Sequence, residues 1–259
     1  MSDELLVTHT DGIVQVVLNR PHRHNALTHA MVAELHELIT DLAADRTARV
    51  LVLRGAGGRA FAAGNDIADF LEHEPVAHQD RTGALVQALF ALPQVTVAAV
   101  DGVCAGGGLA LASHCDLRLA TRRSRFGYPV ARTLGNALPT ALLARCAAVF
   151  GEPLTREMLL TARLVPADRA HGVGALTDLV DDATALEEAL ASLLADLEPL
   201  SGATIRATKA QLLTQAQRLT ALTVDAEQDH ELVRQAYAGA DFTEGVRAFL
   251  AKERPAFER

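Results

Sequence analysis

Two runs of apolar residues, VLVLRG at 50–55 and VTVAAV at 95–100, are each followed by a glycine-containing turn and then by a helical pattern. Each run is too short for a stable helix and rich in branched apolar residues, so it reads as a strand buried on both sides, the environment of a parallel sheet. DLRLA at 116–120 is a third such segment. Between them the spacing predicts helices around 80–91 and directly after the glycine triplet of GVCAGGGLALA at 102–112. The recurrence predicts an α/β solenoid of stacked β-β-α turns, each burying the next. Ahead of it, LLVTHT at 5–10 and GIVQVVLNR at 12–20 alternate around Asp11-Gly12, a strong hairpin signal. Met31, Leu35, Leu38 and Leu42 then repeat at helical spacing behind Thr28, placed to cap the helix. Beyond about residue 135 helical patterns dominate, at 136–149, 184–198, 203–217, 224–238 and 243–252. A core over 1–200 is therefore expected, with a helical region over 201–259 that offers an oligomer surface.

Bulk properties limit what such a fold can serve. A chain of 259 residues, 49% hydrophobic, can bury a full core. Its net charge of -8, with both signs interspersed, argues against nucleic acid or an anionic membrane as partner. MSDELLVTHT has no basic n-region, the longest apolar stretch is interrupted by Asp101 and glycines, and Cys104, Cys115 and Cys146 fit neither a disulfide framework nor a zinc site. No membrane span, no metal and a reducing cytoplasmic location are the expectations.

The chemistry sits in two glycine turns, GGRAFAAGNDI at 57–67 and DGVCAGGGLALA at 101–112, each after a buried strand. Such turns present bare backbone N–H groups, and the helix start after the second adds a positive dipole end. Paired donors of this kind form an oxyanion hole.

NRPHRHNAL at 19–27, AFAAGNDI at 60–67, GVCAGGGLALASHCDLRLA at 102–120, RFGYPV at 125–130 and EGVRAFLAKERPAF at 244–257 together carry a specific resemblance. The chain is similar to the crotonase, or enoyl-CoA hydratase/isomerase, superfamily from residue 19 to the C-terminus. The resemblance implies a crotonase-like stacked β-β-α superhelix with a C-terminal helical trimerisation region. It also implies homotrimers, often paired as hexamers, and an acyl-CoA thioester as substrate, with coenzyme A arriving as part of that substrate and no permanently bound cofactor. By motif position the oxyanion donors are the N–H groups of Asn65 and Gly107, and such donors stabilise an enolate by about 3 to 4 kcal/mol each. The resemblance assigns the coenzyme A phosphates to His22, Arg23 and Lys252, the coenzyme A channel to Ala26, Ala63, Asp66, Ile67 and Ala68, and closure over the adenine to Phe249 with Lys252.

The resemblance breaks at the proton-transfer groups. Where hydratases of this family carry two glutamates, this chain has Ala110 and Val130, which exchange no proton. A positioned acid or base contributes roughly a hundred-fold to ten-thousand-fold, so hydration is expected to be poor. PVARTLGN is also one residue longer than the family's usual path, which brings Arg132, Thr133 and Asn136 into play, with Arg132 suited to a carboxylate. Asp69, Glu72, His73 and Glu74 border the expected acyl pocket and are the candidate replacement acids or bases. Asp116 reads as structural, and Ser113 beside His114 is discounted as a hydrolytic pair because adjacent helical residues diverge. The rival reading is an acyl-CoA-binding homologue without hydratase turnover, or one running isomerisation, decarboxylation or hydrolysis through the same oxyanion.

Overall fold

Asp11 and Gly12 both adopt positive φ, 49° and 77°, and turn the chain between β1 (Leu5–Thr10) and β2 (Ile13–Leu18), which pair antiparallel. The structure, a computed structural model, describes residues 2–71, 75–223 and 225–257. Thr28 caps α1 (His29–Ala44), its hydroxyl accepting from Met31 N at 3.1 Å. The chain then repeats a three-part unit. β3 (Val50–Gly55), β5 (Val95–Val100) and β7 (Leu117–Thr121) lie in one six-stranded sheet of order β1-β2-β3-β5-β7-β10. β4 (Ala60–Ala62), β6 (Val103–Ala105) and β8 (Arg125–Gly127) lie in a second sheet, and β9 (Val165–Pro166) closes it. A helix follows each of the first two strand pairs, α2 (Pro75–Ala91) and α3 (Gly107–His114). This is the stacked β-β-α superhelix of the crotonase fold.

The apolar runs behave as a doubly covered sheet requires. In β3, Leu51 and Leu53 face the larger core with Phe61, Leu109 and Leu111, while Val50 and Val52 face α7 (Ala183–Leu197) through Leu186 and Leu190. Burying one such side chain is worth about 1.5–3 kcal/mol, which fixes the register of the central strands.

The rest of the chain wraps this core. α4 (Val130–Thr133) is a single turn, and α5 (Thr140–Leu160) follows it, so the helix expected at 136–149 starts later and runs further. Gly151, at φ 74°, breaks α5, and Pro153 falls in the first turn of the resumed helix, where its missing N–H costs nothing. After α6 (Ala167–Gly172), β10 (Asp178–Val180) adds to the first sheet. β9 and β10 escape a periodicity reading because two or three residues carry no period. α8 (Gly202–Thr223) is anchored by Lys209, which ion-pairs with Asp116 and donates to Gln94 O. Asp116 also accepts from Thr96 N and Oγ1, so it is structural, as its place beside a strand suggests. α9 (Ala226–Ala238) and α10 (Ala240–Ala251) pack Val233, Tyr237, Phe242 and Val246 around Ile67. The helical region thereby reaches back to the first glycine turn. No helix among the described residues is long and apolar enough to cross a membrane.

Candidate active site

The two glycine turns meet. Leu27 bridges to Asn65 in a short parallel pairing: Leu27 N donates to Gly64 O at 2.8 Å, and Asp66 N donates to Leu27 O at 2.8 Å. In an extended segment successive peptide groups point to opposite sides, so the Asn65 N–H is turned away from Leu27. The second turn lies against the first, and a Cβ on Gly106 would come within 3.2 Å of Gly64 Cα. Gly106 (φ 51°, ψ -124°) redirects the chain from β6 into α3, leaving Gly107 at the first position of that helix. A Cβ on Gly107 would collide with Asn65 Oδ1, so a larger residue there would displace the Asn65 side chain from the site. Among the described residues neither the Asn65 N–H nor the Gly107 N–H finds an acceptor. Two free donors on touching turns, one of them at a helix N-terminus, suit a developing oxyanion.

Both donors border a cavity of about 140 Å³. Ala110 and Val130 line it, so the positions where the family resemblance places carboxylates are apolar here. Among the described residues no Asp, Glu, Lys, Arg or His contributes to the lining. The polar contribution comes instead from a neutral chain of side chains. Asn136 Nδ2 donates to Tyr237 Oη at 2.9 Å, and Tyr237 Oη donates to Gln79 Oε1 at 3.1 Å. Burial pushes the Tyr237 phenol up to about 12, so it stays protonated near neutral pH. Tyr128, also on the lining, is fully buried, and its phenol is held well above its usual range by desolvation. Gln79, Thr82, Tyr128 and Tyr237 are contacts that sequence reasoning missed. Gln79 and Thr82 on α2 and Tyr237 on α9 have no motif around them, Tyr128 lies inside RFGYPV but was not singled out there, and only Asn136 carried a signal, in the lengthened segment after Val130.

Three further sequence-derived positions belong to the cavity. Ala63, Ile67 and Phe249 line it, Phe249 from a 51% exposed position on α10. Ala26 and Asp66 are tied together by Arg20, whose Nη1 donates to Ala26 O and Asp66 Oδ2, both at 2.8 Å. Ala68 is exposed beside them, its N–H donating to Asp66 Oδ1. Asn25 is fully buried and clamps the same loop: its Oδ1 accepts from Arg20 N, and its Nδ2 donates to Ala56 O and Ala60 O. His22 and Arg23 are exposed on a short 3-10 turn, Pro21–Arg23, and Lys252 ends α10 in the left-handed region at φ 57°.

Arg132 stands elsewhere than expected. Its guanidinium donates to Ala162 O and does not line the cavity, because the α4 turn carries it toward α5 and the segment after it. Asp69 is engaged too, accepting from His29 N at 2.5 Å at the start of α1. Glu72, His73 and Glu74 lie outside the described residues. Ser113 and His114 form no hydrolytic pair: His114 Nδ1 donates to Ala110 O at 2.7 Å, and the ring packs edge-on against Phe90. Burial lowers the His114 pKa to about 4.

Comparison with known proteins places the chain in a family. A sequence model of the enoyl-CoA hydratase/isomerase family matches residues 8–259. The chain belongs to that family. Among curated relatives it is 33% identical to the 1,2-epoxyphenylacetyl-CoA isomerase of Escherichia coli K12 over 98% of each chain. It is likewise 33% identical, over 98% of each chain, to the 2,3-dehydroadipyl-CoA hydratase of the same organism. Among solved structures, an enoyl-CoA hydratase/carnithine racemase from Magnetospirillum magneticum superposes with a TM-score of 0.78 at 31% identity, covering 100% of this chain and 96% of the other. An enoyl-CoA hydratase from Mycobacterium avium superposes at 0.86 with 27% identity, over 99% of each chain. Within the enoyl-CoA hydratase/isomerase family, relatives of near-equal similarity are thus named for isomerisation and for hydration.

Proposed function

We propose that this protein acts on an acyl-CoA thioester through an enolate whose oxygen is held by Asn65 N–H and Gly107 N–H. The observation that carries the reading is the pair of unpartnered donors on touching glycine turns at the edge of an apolar cavity. The relatives' names, each for a reaction of an acyl-CoA, support the substrate class. When charge moves onto the thioester oxygen, donors already in place need no reorganisation, and α3 adds its dipole. Arg23 and Lys252 supply positive charge for the coenzyme A phosphates, His22 supplies a ring nitrogen to them, and Phe249 supplies an apolar face at the cavity's edge. A homotrimer or a pair of trimers is the assembly we propose, by family likeness.

Proton transfer at this site does not use carboxylates at 110 and 130. Ala110 and Val130 hold water and substrate by shape alone, and the buried phenol of Tyr237 donates hydrogen bonds without serving as a base at neutral pH. Loss of enoyl absorbance across trans-2-enoyl-CoA substrates of increasing length, with Gly107→Pro as blank, tests the reading. Consumption that disappears in the variant supports an enolate-forming enzyme. A second reading, a binding protein without turnover, is favoured by the absence of charged side chains from the described lining, and it predicts acyl-CoA binding with no consumption at any length.

A further inference from the structure

The neutral chain Gln79–Tyr237–Asn136 is poorly explained as packing. It unites α2, α9 and the segment after α4, and all three side chains line the cavity that the oxyanion donors border. Gln79 and Tyr237 are 4% and 7% exposed, so the chain is desolvated wherever it is not paired. Its direction is fixed: Tyr237 Oη spends its hydrogen on Gln79 Oε1 and accepts from Asn136 Nδ2. Asn136 therefore turns its carbonyl oxygen away from that bond, and Oδ1 is buried without a hydrogen-bond partner. A buried acceptor oriented by two further side chains and left unpaired asks for a donor from whatever fills the cavity.

From this we infer that the pocket selects acyl groups bearing an uncharged hydrogen-bond donor, a hydroxyl, which donates to Asn136 Oδ1. This rests on the reading that an acyl-CoA thioester occupies the cavity, and it deepens that reading by naming the acyl class. Two features exclude the alternatives. A carboxylated acyl group would meet no cation on the described lining and would face an acceptor oxygen with its own negative charge. A plain alkyl chain would leave Oδ1 unpaired in a drier cavity than before it bound. Asn136 and, through it, Tyr237 and Gln79 are thus specificity residues, with Gln79 and Tyr237 in positioning roles.

The test is calorimetric binding of short saturated acyl-CoAs, from butyryl to octanoyl, each beside its ω-hydroxy counterpart, so that no turnover intrudes. At one or more lengths the hydroxylated member should bind about tenfold more tightly, the ratio expected when one hydrogen bond to a buried group is made and not left open. Asn136→Leu should bring that ratio to one or below, and Tyr237→Phe, which frees Asn136 to turn, should reduce it. Equal or tighter binding of the alkyl member at every length in the unaltered protein overturns the inference, as does a ratio that survives Asn136→Leu in folded protein. Failure of every acyl-CoA to bind overturns the acyl-CoA reading and this inference with it, whereas tight binding without discrimination overturns the inference alone.

Discussion

The two walls of the cavity are built in opposite ways. One is backbone: the turns at 63–65 and 105–107 meet with glycine against glycine, and Asn65 and Gly107 present N–H groups there without an acceptor among the described residues. The other is side chain: Ala110 and Val130 are apolar, and Gln79, Tyr128, Asn136, Tyr237 and Phe249 arrive from five stretches of chain. A backbone wall tolerates almost no substitution, because any Cβ at 107 strikes Asn65, whereas a side-chain wall can be rewritten residue by residue.

The largest effect that would break this contrast lies on the backbone wall. Gly107→Pro removes one donor at the first helical position, where a missing N–H costs the helix nothing, and its Cβ pushes the Asn65 side chain aside; it should lower turnover of any thioester substrate by about a hundred-fold to a thousand-fold. Steady-state rates for the variant and the unaltered protein measure it, and an unchanged rate would mean that the donor is not used.

Next in size is a stability effect separating the functional face of α3 from its core face. His114, one turn beyond Ala110, is buried with its pKa lowered from 6.5 to about 4 by desolvation. The unfolded chain binds a proton at His114 below about pH 6.5 that the folded protein refuses until about pH 4. Stability therefore falls as pH falls through that window, by about 3 kcal/mol in all. Denaturant unfolding at pH 7.5 and pH 4 should show this loss in the unaltered protein and a smaller one in His114→Gln. Equal losses would contradict the assignment of His114 to the core.

The apolar wall can be rewritten directly. Val130 is half-buried at the first position of α4, where a carboxylate is favoured by the helix dipole. Val130→Glu should raise hydration of a trans-2-enoyl-CoA by about a hundred-fold, the contribution of one positioned acid or base. No gain would show that the lengthened segment after residue 130 has moved this position out of reach of the substrate.

The smallest prediction concerns the scaffold. Thr28→Ala removes the cap on α1 and should cost about 1 kcal/mol in denaturant unfolding while leaving the ratio between acyl-CoA substrates unaltered. A changed ratio would tie α1 to acyl selection.

The same division explains what could be read before the fold was known. β3, β5 and the glycine turns were legible because a doubly buried strand and a bare backbone donor each demand a narrow set of residues at consecutive positions. Thr28 and Asp11-Gly12 were legible for the same reason, being local devices with fixed chemistry. Gln79 and Tyr237 were not, since a buried polar side chain becomes functional only through partners far away in the sequence, and no local pattern marks the encounter. Arg132 shows the converse: a side chain well suited to a carboxylate was carried to Ala162 O by a single turn of helix whose direction no spacing rule records.

In the proposed mechanism Asn65 N–H and Gly107 N–H hold the thioester oxygen. Difference infrared spectroscopy of a bound saturated acyl-CoA carrying a ¹³C-labelled thioester carbonyl tests it without requiring turnover. Held there, the carbonyl stretch moves to lower frequency on binding, and most of that shift is lost in Gly107→Pro. A bound thioester whose stretch stays at its solution value, or shifts equally in both proteins, would contradict it.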